Sequence, residues 1–251
     1  MDQNVYFISD VHLHLSDSPD EKVKRGRLFD FLAEVRHKKG KLYILGDLFD
    51  FWFEYHHVIP GFYLPVLSQL RETVQAGCEV HFLGGNHDYW VGHFFTDILS
   101  VTVHYKPIDV TLGERQFHLT HADGILHSDR GYRLMRYFFR KALCIRLFRL
   151  LHPDLAIRLA AKISGRSRRL TMRSPSLEES DRREIIQYGL NKLEAGAEFV
   201  ITGHFHLPTE YRTERGTILN LGDWIKFFSF AYFDGHDLRL CYWPQYSSRP
   251  E

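Results

Sequence analysis

Apolar residues along this chain come in short runs, and the spacing between runs alternates between two periods. "VYFIS" (Val5 to Ser9) is a continuous apolar stretch of strand length that stops at Asp10. From Arg25 to His37, Leu28, Phe31, Leu32 and Val35 recur at helical spacing. "KLYILGD" predicts a second strand ending at Asp47, and "FYLPVLSQLRETVQAG" predicts a helix closed by Gly77. "EVHFLGG" predicts a third strand. This β-α-β-α-β order implies a buried, largely parallel sheet, because parallel strands need crossover connections. Seven further strand-like runs follow: "VTVHY", "IDVTLG", "RQFHLTH", "EFVITGH", "TILNLGDW", "FSFAYF" and "LRLCYW". Their close spacing predicts antiparallel hairpins forming a second sheet. A helix-rich insert from Asp129 to about Leu193 interrupts them, with a basic, Ser/Pro-punctuated loop, "SGRSRRLTMRSPS", inside it.

Composition changes this picture little, and charge changes it more. The chain has 251 residues, 44% hydrophobic and 25% charged, as expected of one globular α/β domain over residues 1–251. Three distant cysteines without a CxxC pair argue against a disulfide framework and fit a reducing compartment. The start of the chain lacks the basic-then-apolar pattern of a signal peptide, and no apolar run reaches membrane-spanning length. The net charge is +1, yet 13 Lys and Arg lie between Arg130 and Arg173, opposed only by Asp154. That segment therefore carries +12 and the rest of the chain −11. Such an asymmetry points to an anionic partner surface.

The polar residues that end the strands are of one chemical kind. Asp10 and His12 follow the first strand, Asp47 the second and Asn86 the third; His121 follows "FHLT", and His204 and His206 follow "FVIT". Ligand sites in open α/β sheets lie at the carboxyl ends of strands, so the fold would gather these loops at one edge. Carboxylate, imidazole and amide oxygen are donors for divalent ions. "GGNHD" alone is ordinary turn chemistry; in company with the other loops it reads as part of a site. His14, His56, His57 and His93 fall off the pattern and are assigned to surface or packing. "DFWF" (Asp50 to Phe53) is expected to cover the sheet more than to line a cleft, and Gly222-Asp223 reads as a turn near the site, not a ligand.

In order, "SDVH", "LGDLFD", "GNHD", "THAD" and "GHFH" resemble the signature of the calcineurin-like metallophosphoesterase superfamily. The resemblance implies a two-sheet α/β/β/α sandwich holding two divalent ions, Mn²⁺ by preference with Fe or Zn as alternatives. It implies Asp10, His12, Asp47 and His206 at one ion, and the bridging Asp47, Asn86, His121 and His204 at the other. It also implies His87 as the catalytic histidine, protonating or stabilising the leaving oxygen, with Asp88 orienting it. "LYILGDLFDFW", "GNHD" and "H…SDRGY" before a basic-apolar insert resemble the UDP-2,3-diacylglucosamine diphosphatase branch, which acts in lipid A synthesis. That branch hydrolyses the pyrophosphate of a UDP-linked diacyl sugar. A metal-held hydroxide attacks the uridine-side phosphorus, and the products are UMP and diacylglucosamine 1-phosphate.

The branch implies that residues 129–193 form a helical lid, that Asp129 and Tyr132 meet substrate, and that the protein is cytoplasmic and peripheral to the inner membrane. Arg166 and Arg169 are candidates for phosphate contact. Many members of the branch carry Arg where this chain has His87, so His87 restores the general superfamily pattern. Helical placement of the insert gives an apolar stripe flanked by cations, which suits both an anionic membrane surface and packing on the core. A phosphodiesterase or nuclease acting on nucleic acid or another nucleotide is the alternative. It is disfavoured because grooves for nucleic acid separate their cations with stacking aromatics, whereas apolar content is concentrated here. Oligomeric state is left open.

Overall fold

The structure is a computed structural model and describes residues 4–126, 130–159 and 175–244. Two sheets stack face to face, with helices on both outer faces. The first sheet runs β11 (Leu238–Tyr242), β10 (Ser229–Phe233), β1 (Val5–Ile8), β2 (Lys41–Ile44), β3 (Val80–Leu83), β4 (Thr102–His104), and the second β5 (Ile108–Leu112), β6 (Arg115–Thr120), β7 (Phe199–Thr202), β9 (Gly216–Asn220), β8 (Thr209–Thr213). In the first, β1, β2, β3 and β4 are parallel neighbours. Side-chain alternation assigns each residue of β1 to a layer. Val5 and Phe7 pack between the sheets with Phe117, Leu119, Phe199 and Ile201, whereas Tyr6 and Ile8 pack under the helices.

Those helices are α1 (Pro19–His37) and α2 (Leu64–Gln75), which bury Leu28, Phe31, Leu32, Val66, Leu67 and Leu70. Helix α1 starts at Pro19, ahead of the expected Arg25. The Ser18 hydroxyl caps it by accepting the Glu21 N–H at 3.3 Å, Pro19 opens it, and Asp20 and Glu21 stand in the positive first turn.

The second half departs from the expected run of antiparallel hairpins in one separate sheet. β4 joins the first sheet, and β10 (Ser229–Phe233) and β11 (Leu238–Tyr242) return to it as an antiparallel pair beside β1. The second sheet is mixed. β6 (Arg115–Thr120), β7 (Phe199–Thr202) and β9 (Gly216–Asn220) are parallel, and β5 (Ile108–Leu112) and β8 (Thr209–Thr213) are antiparallel edges. Strand β8, "TEYRT", carries too little apolar pattern to announce itself. The parallel core of the second sheet brings three more strand ends to the rim where β1, β2 and β3 finish.

The insert supplies α3 (Arg130–Phe139), α4 (Ala142–Arg149), a helical segment at 153–159 and α5 (Pro175–Glu194). Helix α5 covers the outer face of the second sheet, with Ile186, Leu190 and Leu193 on Val200 and Ile218. Helices α3 and α4 sit at the rim. Phe148 of α4 packs on Phe53 (4.7 Å between centroids), Trp90 (5.0 Å) and Phe51 (6.0 Å), and the Trp90 indole N–H donates to the Phe139 carbonyl. "DFWF" thus divides its work: Trp52 is core, while Phe51 and Phe53 carry α4. The three cysteines are unpaired. No helix among the described residues is long and apolar enough to cross a membrane.

Candidate metal centre

The strand ends converge. Asp10, His12 and His206 form one group whose ligand atoms lie within 4.8 Å of one another; Asp47, His121 and His204 form a second; His12, Asp47 and His87 join them. Asp47 stands between the groups. Its Oδ2 is 3.5 Å from His12 Nε2 and 3.4 Å from His121 Nε2. Asp10 Oδ1 is 3.7 Å from His12 Nε2 and 3.6 Å from His206 Nε2. Asn86 Oδ1 reaches His121 Nε2 at 3.0 Å. All seven residues expected to ligate are therefore gathered at one rim, from five loops of both sheets.

The backbone at these positions is unusual. Asp10, His12, Asp47, His204 and His206 all have positive φ, between 45° and 73°. Left-handed backbone costs a non-glycine residue about 1–3 kcal/mol and persists where surroundings over-determine it. Here the surroundings are hydrogen bonds between the ligand loops. Asp10 N–H donates to Gly46 O, His12 N–H to Asp47 O, and His204 N–H to Asp10 Oδ2 at 2.8 Å. Gly46 and Gly85 explain the glycines before Asp47 and Asn86. A Cβ on Gly46 would lie 2.6 Å from Gly85 Cα, and one on Gly85 would lie 2.1 Å from Asp47 Oδ1. The loops touch backbone to backbone.

Electrostatics marks the site as built for a cation. Burial works against the charge on Asp10, yet His206 and His12 outweigh it and hold the carboxyl down at about 2. Burial likewise opposes the charge on Asp47, but His121 and His87 hold it well below the usual range. Burial would lower His12, but Asp10, Asp50 and Asp47 hold it up at about 10; Asp47 does the same for His121. Burial and the charge of His121 press His204 down to about 4. Two buried carboxylates are thus balanced by protons on two imidazoles, the role a divalent ion takes when it displaces those protons. Asp10 Oδ1 and both ring nitrogens of His12 are buried without a hydrogen-bond partner, which is costly unless a ligand satisfies them. Carboxylate, imidazole and one amide oxygen suit a divalent first-row ion.

The supporting groups were only partly anticipated. Asp88 does not do what the sequence suggested. Its carboxylate accepts four main-chain N–H groups, from Gly85, Asp47, Leu48 and Phe49, and clamps two ligand loops together. Burial and the charge of Asp47 push it up to about 7. The His87 ring is oriented instead by the Asp50 carbonyl, 2.8 Å from Nδ1. Burial lowers the His87 pKa, favouring the neutral ring.

Asp223 was read as a turn, and it is more. Its Oδ1 accepts from three consecutive amides, Ile225, Lys226 and Phe227, while Oδ2 lies 3.3 Å from His206 Nδ1. Such a carboxylate fixes the tautomer of a ligating histidine. The visible signal was the second "GD" dipeptide at a strand end. Asp50 lies 3.7 Å from both His12 Nδ1 and His14 Nδ1, which draws His14 to the edge of the site. Asp123 pairs with Arg136 (3.2 Å) and Arg140 (2.9 Å), and so ties α3 and the turn after it to the His121 loop. Asp129, Arg166 and Arg169 lie outside the described residues, as does the side chain of Tyr132.

No family model matches the chain. Among curated relatives, a protein of Porphyromonas gingivalis named UDP-2,3-diacylglucosamine hydrolase is 34% identical over 256 residues, covering 96% of this chain and 97% of its own. Proteins of the same name from Pseudomonas putida and Haemophilus influenzae are each 28% identical, over 88% of this chain and 90% of theirs. Among solved structures, an archaeal phosphodiesterase superposes with a TM-score of 0.48 at 12% identity, over 96% of this chain and 99% of that one.

Proposed function

The chain belongs to the UDP-2,3-diacylglucosamine hydrolase family, and we propose from that premise how its own residues perform the reaction. It hydrolyses the pyrophosphate of UDP-2,3-diacylglucosamine, giving UMP and 2,3-diacylglucosamine 1-phosphate, a step of lipid A synthesis. The observation that carries the reading is the two donor groups sharing Asp47, in a chain related to these hydrolases over 96% of its length. Asp10, His12, Asp47 and His206 would hold one divalent ion, and Asp47, Asn86, His121 and His204 the other. Mn²⁺ suits this mix of oxygen and imidazole donors. Such ions, when bound, polarise phosphoryl oxygens and make water acidic enough to react at neutral pH.

The remaining work falls to side chains. Asp47 fixes the spacing of the two groups, since its Oδ2 faces histidines of both and its Oδ1 accepts the His87 N–H at 2.9 Å. The bond broken joins the uridine-side phosphorus to the bridging oxygen, and the water oxygen ends on UMP. The leaving group is then a phosphate monoester, whose second pKa of about 6 needs little help from an acid. His87 therefore stabilises the leaving oxygen only once its Nε2 has taken up the proton given up by the attacking water, which it then donates in a hydrogen bond to that oxygen. Its Nδ1–H is committed to the Asp50 carbonyl, so in the neutral ring Nε2 carries no proton until one arrives from the reaction. The family resemblance assigns Asp129 and Tyr132 to substrate binding, and the charge of Arg166 and Arg169 makes them candidates for phosphate contact.

The rim helices give the lipid a place to lie. Leu143, Leu147 and Leu150 are exposed, Leu150 by 81%, as are Phe138 and Phe139, among Arg140, Lys141, Arg146 and Arg149. Apolar side chains ringed by cations are the form of a helix resting on an anionic bilayer. The protein accordingly works at the cytoplasmic surface of the inner membrane, and α3 and α4 take the acyl chains.

The test is an assay of chelator-treated protein on UDP-2,3-diacylglucosamine, with each divalent ion restored in turn. UMP and the lipid phosphate should appear only with an ion present, most with Mn²⁺. UDP or inorganic phosphate as product, or full turnover in chelator, contradicts the reading.

A further inference from the structure

Beside the His12 loop, the first turns of α1 carry a buried ion pair that the reaction described above does not use. Lys24 is 6% exposed and Glu21 4%, and their side chains meet at 2.9 Å. Lysine and glutamate are almost never buried to this degree unless paired. Pairing offsets the penalty but adds little stability, since apolar residues of similar volume often do as well. The other bonds of the pair give it a purpose. Lys24 Nζ donates to the His12 carbonyl at 2.6 Å, and Glu21 Oε1 accepts the His14 N–H at 2.9 Å. Glu21 is itself anchored, its N–H donating to the Ser18 hydroxyl that caps the helix.

His12 needs such a hold more than His121 or His206 does. His121 has its Nδ1 2.7 Å from the Leu45 carbonyl, and His206 has its Nδ1 3.3 Å from Asp223 Oδ2. Both ring nitrogens of His12 are buried without a hydrogen-bond partner, and Asp50 Oδ1 stays 3.7 Å from Nδ1. The direction of this ring therefore follows from its main chain and from its stacking on the His206 ring, 5.0 Å between centroids. That main chain is left-handed, with φ 45°, a conformation that persists only where neighbours impose it. The peptide group after His12 is gripped at both ends. The Leu13 N–H donates to the Leu48 carbonyl at 2.9 Å, and the His12 carbonyl accepts from Lys24.

We propose that Lys24 and Glu21 are positioning residues, which hold His12 toward the ion it would share with Asp10 and His206 by fixing the main chain of residues 12–14. The proposal rests on the two-ion reading given above, and adds what keeps one of its donors in place. The two charges of the pair cancel, so replacing both residues by neutral ones leaves the net charge beside the centre unchanged and isolates the geometry.

Glu21→Gln/Lys24→Met keeps similar volumes and an acceptor for the His14 N–H, and removes the donor to the His12 carbonyl. Mn²⁺ titration of the full chain, followed by electron paramagnetic resonance, should show one ion bound about tenfold more weakly, the worth of one hydrogen bond to a charged group, and the other at native affinity. The melting temperature in chelator should stay near native. Hydrolysis of UDP-2,3-diacylglucosamine by the variant, weak at low Mn²⁺, should recover when Mn²⁺ is raised by the same factor. Native affinity for both ions, or equal weakening of both, overturns the proposal. A second measurement uses the native chain and stands even if the variant fails to fold. Coupling is reciprocal, so saturating Zn²⁺ should slow exchange of the His14 N–H, read by NMR, about tenfold; unchanged exchange overturns the proposal. Two ions bound by the native chain without hydrolysis refute the function alone, whereas two ions bound equally by native and variant chains refute the positioning role alone.

Discussion

Asp223 does two jobs with two oxygens, and a single substitution separates them. Oδ1 accepts the amides of Ile225 (3.0 Å), Lys226 (2.7 Å) and Phe227 (3.2 Å), while Oδ2 faces His206 Nδ1 at 3.3 Å. Asp223→Ala removes both and orphans three N–H groups, at a cost of at least about 2 kcal/mol to folding. Asp223→Asn keeps a carbonyl oxygen for the amides but turns an NH₂ group toward His206. The imidazole must then accept at Nδ1 and carry its proton on Nε2, the nitrogen 3.6 Å from Asp10 Oδ1. A protonated nitrogen cannot ligate. Losing such a support costs about 10- to 100-fold in metal affinity. The 3.3 Å separation is long and the His206 side chain is 37% exposed, so the lower end, about tenfold, is expected here. The assay is a Mn²⁺ titration followed by electron paramagnetic resonance, beside thermal melts in chelator. Asp223→Asn should melt near the native temperature yet bind one ion more weakly, whereas Asp223→Ala should fail in both respects. Native affinity in the Asn variant refutes the orienting role.

Asp47→Ala should lower turnover by at least about a thousandfold and metal content together, because it removes the oxygen that faces both groups; mass spectrometry of bound metal checks this, and two ions at native occupancy would contradict it. Phe148→Ala should loosen α4 locally, costing about 1–3 kcal/mol for a half-buried ring. Hydrogen exchange should quicken across residues 142–149 and stay unchanged in β1; equal acceleration in both contradicts the local docking. His81 Nδ1 and His104 Nε2 lie 3.2 Å apart, and burial depresses both rings, the charge of His104 adding to the effect on His81. The unfolded chain therefore takes up their protons first, and their contribution to stability is complete above the unfolded value of 6.5 and falls as pH drops below it. Melting temperature measured from neutral pH downward should fall more steeply for the native chain than for His104→Gln, and parallel curves would remove the pair from the account.

The sequence exposed what is local and hid what is spatial. Apolar runs ending at Asp10, Asp47, Asn86, His121 and His204 were visible because strand period and donor type are properties of adjacent residues. The neighbours of β4, β10 and β11 were not visible, because pairing across a sheet depends on crossovers and not on the strand itself. Ser18-Pro-Asp-Glu is a helix start written in adjacent residues, seven positions ahead of the apolar spacing that begins near Arg25. The exchange of roles between Asp88 and the Asp50 carbonyl could not be read, since every residue carries a carbonyl. Asp223 was half legible, its "GD" at a strand end marking a turn and concealing the contact with His206. The five left-handed donors follow from loops pressed together at Gly46 and Gly85, which only the folded chain displays.

Hydrolysis of UDP-2,3-diacylglucosamine in ¹⁸O-water, with Mn²⁺ and product masses resolved, tests the central claim most directly. The account requires one heavy oxygen in UMP and none in diacylglucosamine 1-phosphate. Label in the lipid product, release of UDP, or an inert substrate with every divalent ion supplied would contradict it.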